Sequence, residues 1–246
     1  MAGDLRHPGP VAFAAQVAPA VDRVAIGVHV ASRSEAAQVL RRFGLPSAVP
    51  LIELRLGLPL RPIPLVQARA VLRYVAEADF QAHLLGQVAA GILTVRDEHI
   101  ALTGRGQECC TALAEVHERT ADVLWRGRAQ SLPRLGALAG RLLTAAQADA
   151  GPAFRGSAPS YEPVGASPGL LLFGQLCALR LHRADAHAAA WAEAGLSAEQ
   201  IQALPAGAQR GRIEVRTNEL AAPPYASLSE TERRAFLAGL VALGSA

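Results

Sequence analysis

The chain has 246 residues, enough for one large domain or two small ones, and its apolar residues are mainly alanine and leucine. Only 4% of the residues are aromatic, so the composition favours a mainly α protein over an aromatic-rich β fold. The net charge of +3 permits binding to DNA but excludes the strongly basic balance that requires a polyanionic partner.

The cysteines and the hydropathy indicate the compartment. Cys109, Cys110 and Cys177 have neither disulfide nor zinc-ligand spacing, which fits a reducing environment. The uncharged apolar stretch at Leu170–Leu179 is about half of the roughly 20 residues that a membrane helix needs. We therefore expect a cytoplasmic protein without a membrane segment, a metal or a cofactor.

The N-terminal region changes character after its first 20 residues. Residues 1–20 are rich in glycine, proline and alanine and are expected to be loosely ordered. Ser34 then offers a helix N-cap, and apolar residues at helical spacing predict a helix over Glu35–Phe43. Prolines punctuate residues 46–64, and a new amphipathic helix begins near Leu65.

The next segment predicts a helix, a hairpin and another helix. Ala78–Ala90 predicts a helix that ends at Gly91, and the β-prone runs Ile92–Val95 and His99–Leu102 predict a hairpin. The motif Leu-Thr-Gly-Arg-Gly follows and leads into a helix that ends at Trp125. Over residues 65–125 this order resembles winged-helix regulators of the MarR kind.

That resemblance implies a winged-helix domain over residues 21–150, with the hairpin as the wing, and implies duplex DNA and a second copy of the chain as partners. The candidate DNA-binding residues are Arg69, Arg73, Gln81, Gln87 and Arg96. The predicted helix Ala78–Ala90, which would be the recognition helix, contains no arginine, and acidic residues adjoin Arg96 in the wing. A DNA-binding module and a winged helix kept for packing or dimerisation both stay open.

The C-terminal part is also predicted to be helical. Residues 151–169 contain four prolines and four glycines, which predicts a linker before a helical ligand-binding domain over residues 170–246. Helices are expected over Leu170–Ala194 and Arg210–Ala222, and Ser229 with Glu232 forms the capping box of a closing helix. His83, His99 and His117, in the first half, are expected on the surface.

The helix over Leu170–Ala194 combines an apolar composition with many ionisable groups, which are costly to bury without partners. Arg180, Arg183, His187 and Trp191 follow one another at helical spacing, and His182 and Asp185 occupy a neighbouring stripe. The later helix supplies Glu214, Thr217 and Asn218. The candidate ligand-binding residues are Arg180, Arg183, Asp185, His187, Trp191, Glu214, Thr217 and Asn218.

Three interpretations of these residues compete. They form a buried ion-pair network between two helices, a small-molecule pocket, or a metal site made by His182, His187 and Glu214. The metal site is disfavoured because histidines five residues apart lie roughly 140° apart around a helix.

The same two segments resemble an uncharacterised family of bacterial helical proteins labelled helix-turn-helix or MarR-like, which carry a His-Arg-x-Asp-x-His motif and a later Ile-Glu-x-x-Thr-Asp motif. Arg183, Asp185 and His187 match the first motif. Ile213, Glu214 and Thr217 match the second. The chain departs from the family at Asn218, where an aspartate is usual, and at Ala184 and Ala186, where glycines flank the aspartate.

Together these patterns predict a ligand-responsive transcription regulator that binds a small molecule in a helical pocket. The alternative is a small-molecule enzyme or binding protein with a vestigial winged helix. In that case Arg183 anchors an anionic group, and His187 transfers a proton with help from Asp185 or Glu214.

Overall fold

The structure is a computed structural model that describes residues 9–46 and 49–245. It is mainly helical with a small antiparallel sheet, which confirms the predicted fold class at that level. The helices are α1 (Pro10–Arg42), α2 (Val49–Leu54), α3 (Leu65–Val71), α4 (Glu77–Ala89), α5 (Gly104–Leu124), α6 (Leu132–Ala145), α7 (Pro152–Ser157), α8 (Pro168–Glu193), α9 (Ala198–Ala203), α10 (Ala208–Ala221) and α11 (Glu230–Leu243). The strands are β1 (Ile63–Pro64), β2 (Leu93–Arg96) and β3 (His99–Leu102).

Helix α1 is longer than the sequence predicted. Pro10 occupies the start of the helix, where its missing N–H and fixed φ are favourable, and the helix continues through Pro19. Phe13 and Val17 are fully buried in the main hydrophobic core. The expectation of loose order is therefore wrong for residues 10–20, while residues 1–8 lie outside the described residues.

By length and composition, α1 is also apolar enough to cross a membrane, although charged residues interrupt its apolar sequence. Half of its most apolar window is buried inside the protein, as in the core helix of a globular fold.

The predicted hairpin is confirmed. Strands β2 and β3 pair antiparallel, and β1 pairs with the other edge of β3, so the strand order is β1-β3-β2. Asp97 and Glu98 form the two-residue turn of the hairpin. Both have positive φ, which matches the right-handed twist of the two strands.

The Leu-Thr-Gly-Arg-Gly motif fixes the start of α5 against the hairpin. The Thr103 hydroxyl accepts a hydrogen bond from the backbone N–H of Gly106 and so caps the helix. A Cβ atom at Gly106 would lie 2.2 Å from the carbonyl oxygen of Ile92, so only glycine allows this approach.

Two hydrophobic cores share helices α1 and α5. The larger core combines α1, α5, α6, α8 and α11, and the smaller one combines the end of α1 with α2, α3, α4, the sheet and the start of α5. The larger core therefore joins segments from both sides of the boundary expected at residues 151–169.

Within those residues, the expected linker contains helix α7. Ala153 and Phe154 are fully buried, and Pro152 occupies the first turn, where proline favours a helix rather than a loop. The segment predicted as a linker therefore begins with a short buried helix, which its prolines did not indicate.

Helix α8 lies at the centre of the molecule and contacts α1, α5, α6, α7 and α10. Ser167 caps its N-terminus, and Gly195, with positive φ, follows its C-terminus. This central position explains why the ionisable side chains of α8 face other helices on several sides. At the end of the chain, the predicted capping box of Ser229 and Glu232 is confirmed at the start of α11.

Candidate functional site

One stripe of α8 faces α1 and α10. The Nε atom of Arg180 donates to Oδ1 of Asp22 in α1 at 2.7 Å. Arg183 donates from Nη1 to Oδ1 of Asn218 at 2.8 Å and from Nη2 to Oε2 of Glu214 at 3.3 Å. These contacts join three helices that lie far apart in the sequence.

His187 continues this stripe and contacts α10 through one ring nitrogen. Its Nδ1 atom lies 3.1 Å from the hydroxyl oxygen of Thr217, which donates its own proton to the carbonyl oxygen of Ile213 at 2.8 Å. A threonine hydroxyl has one proton, so in the contact with His187 its oxygen accepts. The neutral tautomer that fits this contact carries its proton on Nδ1, which also lies 3.7 Å from Oε1 of Glu214, and has Nε2 as a hydrogen-bond acceptor.

The environment of His187 favours its neutral form. Burial lowers its pKa below the ordinary value of 6.5, the carboxylate of Glu214 raises it, and the positive charge of Arg183 lowers it again. The net shift is downward. In the part of the chain that the structure describes, Nε2 has no hydrogen-bond partner and is not sealed from solvent.

These side chains line an open cavity of about 540 Å³ between α1, α8 and α10, which we call the polar cavity. The structure thus brings together five of the predicted ligand-binding residues, namely Arg180, Arg183, His187, Glu214 and Asn218. Thr217 is buried behind His187. Sequence reasoning missed Asp22, Tyr74 and Tyr225, which also line the cavity, because no local motif connects them to α8.

Asp185 points to a different side of α8. Its carboxylate accepts hydrogen bonds from Arg73 and from the backbone N–H groups of Ala153 and Phe154 at the start of α7. Asp185 therefore stabilises a junction between helices and does not orient His187.

Trp191 is likewise separated from the polar cavity. Its side chain packs against the small core of Ala190, Ile201 and Ile213, and its buried Nε1 atom has no hydrogen-bond partner among the residues that the structure describes.

A second cavity, of about 1030 Å³, lies on the Asp185 side of α8, between that helix and α3, α4 and α10, and we call it the large cavity. No local sequence pattern indicates this cavity, because its walls come from segments distant in the chain. His182 lines it and contacts Asp149 at 3.2 Å. His182 and His187 thus face different cavities and do not converge on one point.

The candidate DNA-binding residues occupy varied positions. Arg73 and Gln87 are not exposed: Arg73 pairs with Asp185, and Gln87 lies on the buried face of α4. Arg69 and Gln81 are both hydrogen-bonded to Glu77. Arg96 is exposed on the hairpin.

A further polar cluster lies inside the fold around Phe173. The rings of His29 and His117 lie 5.0 and 5.1 Å from the ring of Phe173, and the guanidinium group of Arg55 lies 5.1 Å from it. His117 is fully buried, so its expected surface position is wrong, and among the described residues neither ring nitrogen has a hydrogen-bond partner of good geometry. Its place after Cys110 and Leu113 at helical spacing was a signal that could have indicated burial.

In the described residues, no group of three or more histidine, cysteine, aspartate or glutamate side chains could hold a metal ion. Comparison of the chain with protein-family models, curated proteins and solved structures finds no match.

Proposed function

We propose that the protein binds a small carboxylate-bearing molecule in the polar cavity and holds it next to an imidazole that accepts a proton or a hydrogen bond. The observation that carries this proposal is the pair Arg183 and His187, four residues apart on one face of α8. The guanidinium group of Arg183 has five N–H donors, of which the contacts with Asn218 and Glu214 use two, so donors remain for a carboxylate, and Nε2 of His187 supplies an acceptor.

Contacts from α10 support this arrangement. Asn218 and Glu214 hold the end of Arg183, and Thr217 fixes the tautomer of His187. Ligand sites need few polar groups in defined positions within a concave surface, and the polar cavity lies within their usual size range of roughly 300–1,000 Å³. A ligand with a carboxylate and a hydroxyl or amino group complements these residues.

The test uses three small probes and protein with labelled histidine side chains. 3-Hydroxybutyrate carries the charge and the donor, butyrate lacks the donor, and 3-hydroxybutyramide lacks the charge. We expect the NMR signals of the His187 ring to shift saturably with 3-hydroxybutyrate, and binding of each control probe to be at least about 10-fold weaker, or about 1.4 kcal/mol. Equal binding of all three probes, or no saturable shift with any, would reject the proposal.

A second candidate function is ligand-responsive regulation of transcription by a homodimer. It is favoured by the order of α3, α4 and the hairpin, which is the order of a winged helix, and by the exposed Arg96 at the hairpin. The test is salt-sensitive binding to duplex DNA from the promoter of its own gene, measured by fluorescence anisotropy. Arg96→Gln should weaken binding, whereas the matched variant Arg212→Gln, on the exposed face of α10, should not.

A further inference from the structure

The large cavity has apolar walls that come from four helices. Leu65, Val66 and Ala70 of α3 face it from one side, and Ala186 and Ala189 of α8 from another. Two aromatic side chains, Phe80 of α4 and Trp191 of α8, also line it. Its volume of about 1030 Å³ is at the upper end of the range for drug-sized ligands, so the cavity has room for a sizeable, largely apolar molecule.

The charges on the walls are unbalanced. Four carboxylates and two guanidinium groups line the cavity, those of Glu77, Asp149, Asp185, Glu219, Arg69 and Arg73. Arg73 pairs with Asp185, and Arg69 pairs with Glu77, so both wall arginines are already neutralised. Glu219 pairs with Arg216, which lies outside the cavity.

Asp149 is the exception. In the described residues, the partner of its carboxylate is Nε2 of His182 at 3.2 Å, and no guanidinium group pairs with it. Its side chain keeps 35% of its exposure, so a ligand can reach it. The large cavity therefore presents one accessible carboxylate without an arginine partner.

We propose that the large cavity binds a lipophilic organic cation, such as an aromatic amine or ammonium compound. The apolar walls, with Phe80 and Trp191 among them, accept its body, and Asp149 neutralises its charge. An anionic ligand of the same size would meet the excess of carboxylates. This site is distinct from the polar cavity, on a different side of α8.

The test compares two xanthene dyes of opposite charge, rhodamine 6G and fluorescein, by fluorescence anisotropy with the full chain. We expect rhodamine 6G to bind saturably at one site per chain and fluorescein to bind at least about 10-fold more weakly. Nile red, a neutral dye, should also bind more weakly than rhodamine 6G. Absence of rhodamine 6G binding, or equal or tighter binding of either other dye, overturns the proposal.

Variants locate the site. Asp149→Asn should weaken rhodamine 6G binding about 10-fold, while Asp79→Asn, the same change on the exposed face of α4 outside the cavity, should leave it unchanged. Ala189→Trp, which fills the cavity, should abolish binding. Thermal unfolding of each variant establishes that it is folded, and the comparison of dyes on the unmodified chain stands without any variant. Equal affinities of Asp149→Asn and Asp79→Asn would overturn the proposal.

Discussion

Arg73 donates a hydrogen bond to Asp185 at 2.5 Å, although the two residues lie 112 positions apart. Both side chains are almost completely buried, with 11% and 8% of their surface exposed. From the sequence, Arg73 was predicted to bind DNA and Asp185 to assist His187. Their pairing instead connects the turn that follows α3 to α8 and, through the backbone N–H groups of Ala153 and Phe154, to α7.

We expect Asp185→Asn to lower the free energy of unfolding by roughly 3–5 kcal/mol, because it leaves the buried guanidinium group of Arg73 without a counter-charge. Urea denaturation at pH 7 measures the change. The matched control is Glu35→Gln, which removes one partner of the exposed pair with Arg119 and should cost less than about 1 kcal/mol. Similar losses for the two variants would show that the junction does not depend on the charge of Asp185.

The buried histidines predict that the protein loses stability in mild acid. Burial lowers the pKa of His29 to about 3 and holds the pKa of His117 well below 6.5. Below pH 6.5 these histidines take up protons in the unfolded state but stay neutral in the folded state, so the free energy of unfolding falls as the pH falls. For His29 this loss continues until about pH 3.

Each such histidine contributes a slope of at most about 1.4 kcal/mol per pH unit. Urea denaturation between pH 6.5 and 5 measures it, because exposed carboxylates are still ionised over most of this range. The double variant His29→Leu/His117→Leu should flatten the slope relative to the unmodified chain. An unchanged slope in the double variant would contradict the assignment to these two residues.

His117 alone should also reduce stability at neutral pH. Within residues 9–46 and 49–245, neither of its buried ring nitrogens has a hydrogen bond of good geometry, and an unpaired buried polar group costs roughly 1–3 kcal/mol. We therefore expect His117→Leu to raise the free energy of unfolding by about 1 kcal/mol or more at pH 7. His83→Leu, at a partly exposed position of α4, should change it little. Destabilisation by His117→Leu would mean that the imidazole makes a contribution that its contacts do not explain.

Local signals in the sequence predicted local structure well. The capping box at Ser229 and the hairpin strands were correct, because their determinants lie within a few residues of one another. The spacing of Arg180, Arg183 and His187 predicted one face of α8 for the same reason.

Partners from distant segments could not be predicted in this way. Asp22 on α1 reaches Arg180 across 158 positions, and Asp185 pairs with α3 and α7 rather than with its neighbour His187. Which face of a helix meets which partner depends on tertiary packing, and single-chain periodicity carries no information about it. The division of one predicted site into two cavities follows from that.

The contact between His187 and Thr217 leads to the most specific prediction for the polar cavity. Thr217→Val keeps the shape of the side chain and removes the oxygen that accepts from Nδ1 of His187. We expect the proton of neutral His187 to shift in part to Nε2, which removes the acceptor from the cavity and weakens binding of 3-hydroxybutyrate about 10-fold. The ¹⁵N shifts of the two ring nitrogens report the tautomer directly.

Thr120→Val is the matched control, because Thr120 donates to the carbonyl oxygen of Val116 in the same way but lies on α5, away from the cavity. If Thr217→Val leaves both the tautomer and the affinity as they are in Thr120→Val, then α10 does not position His187 for binding, and the acceptor role assigned to Nε2 is wrong.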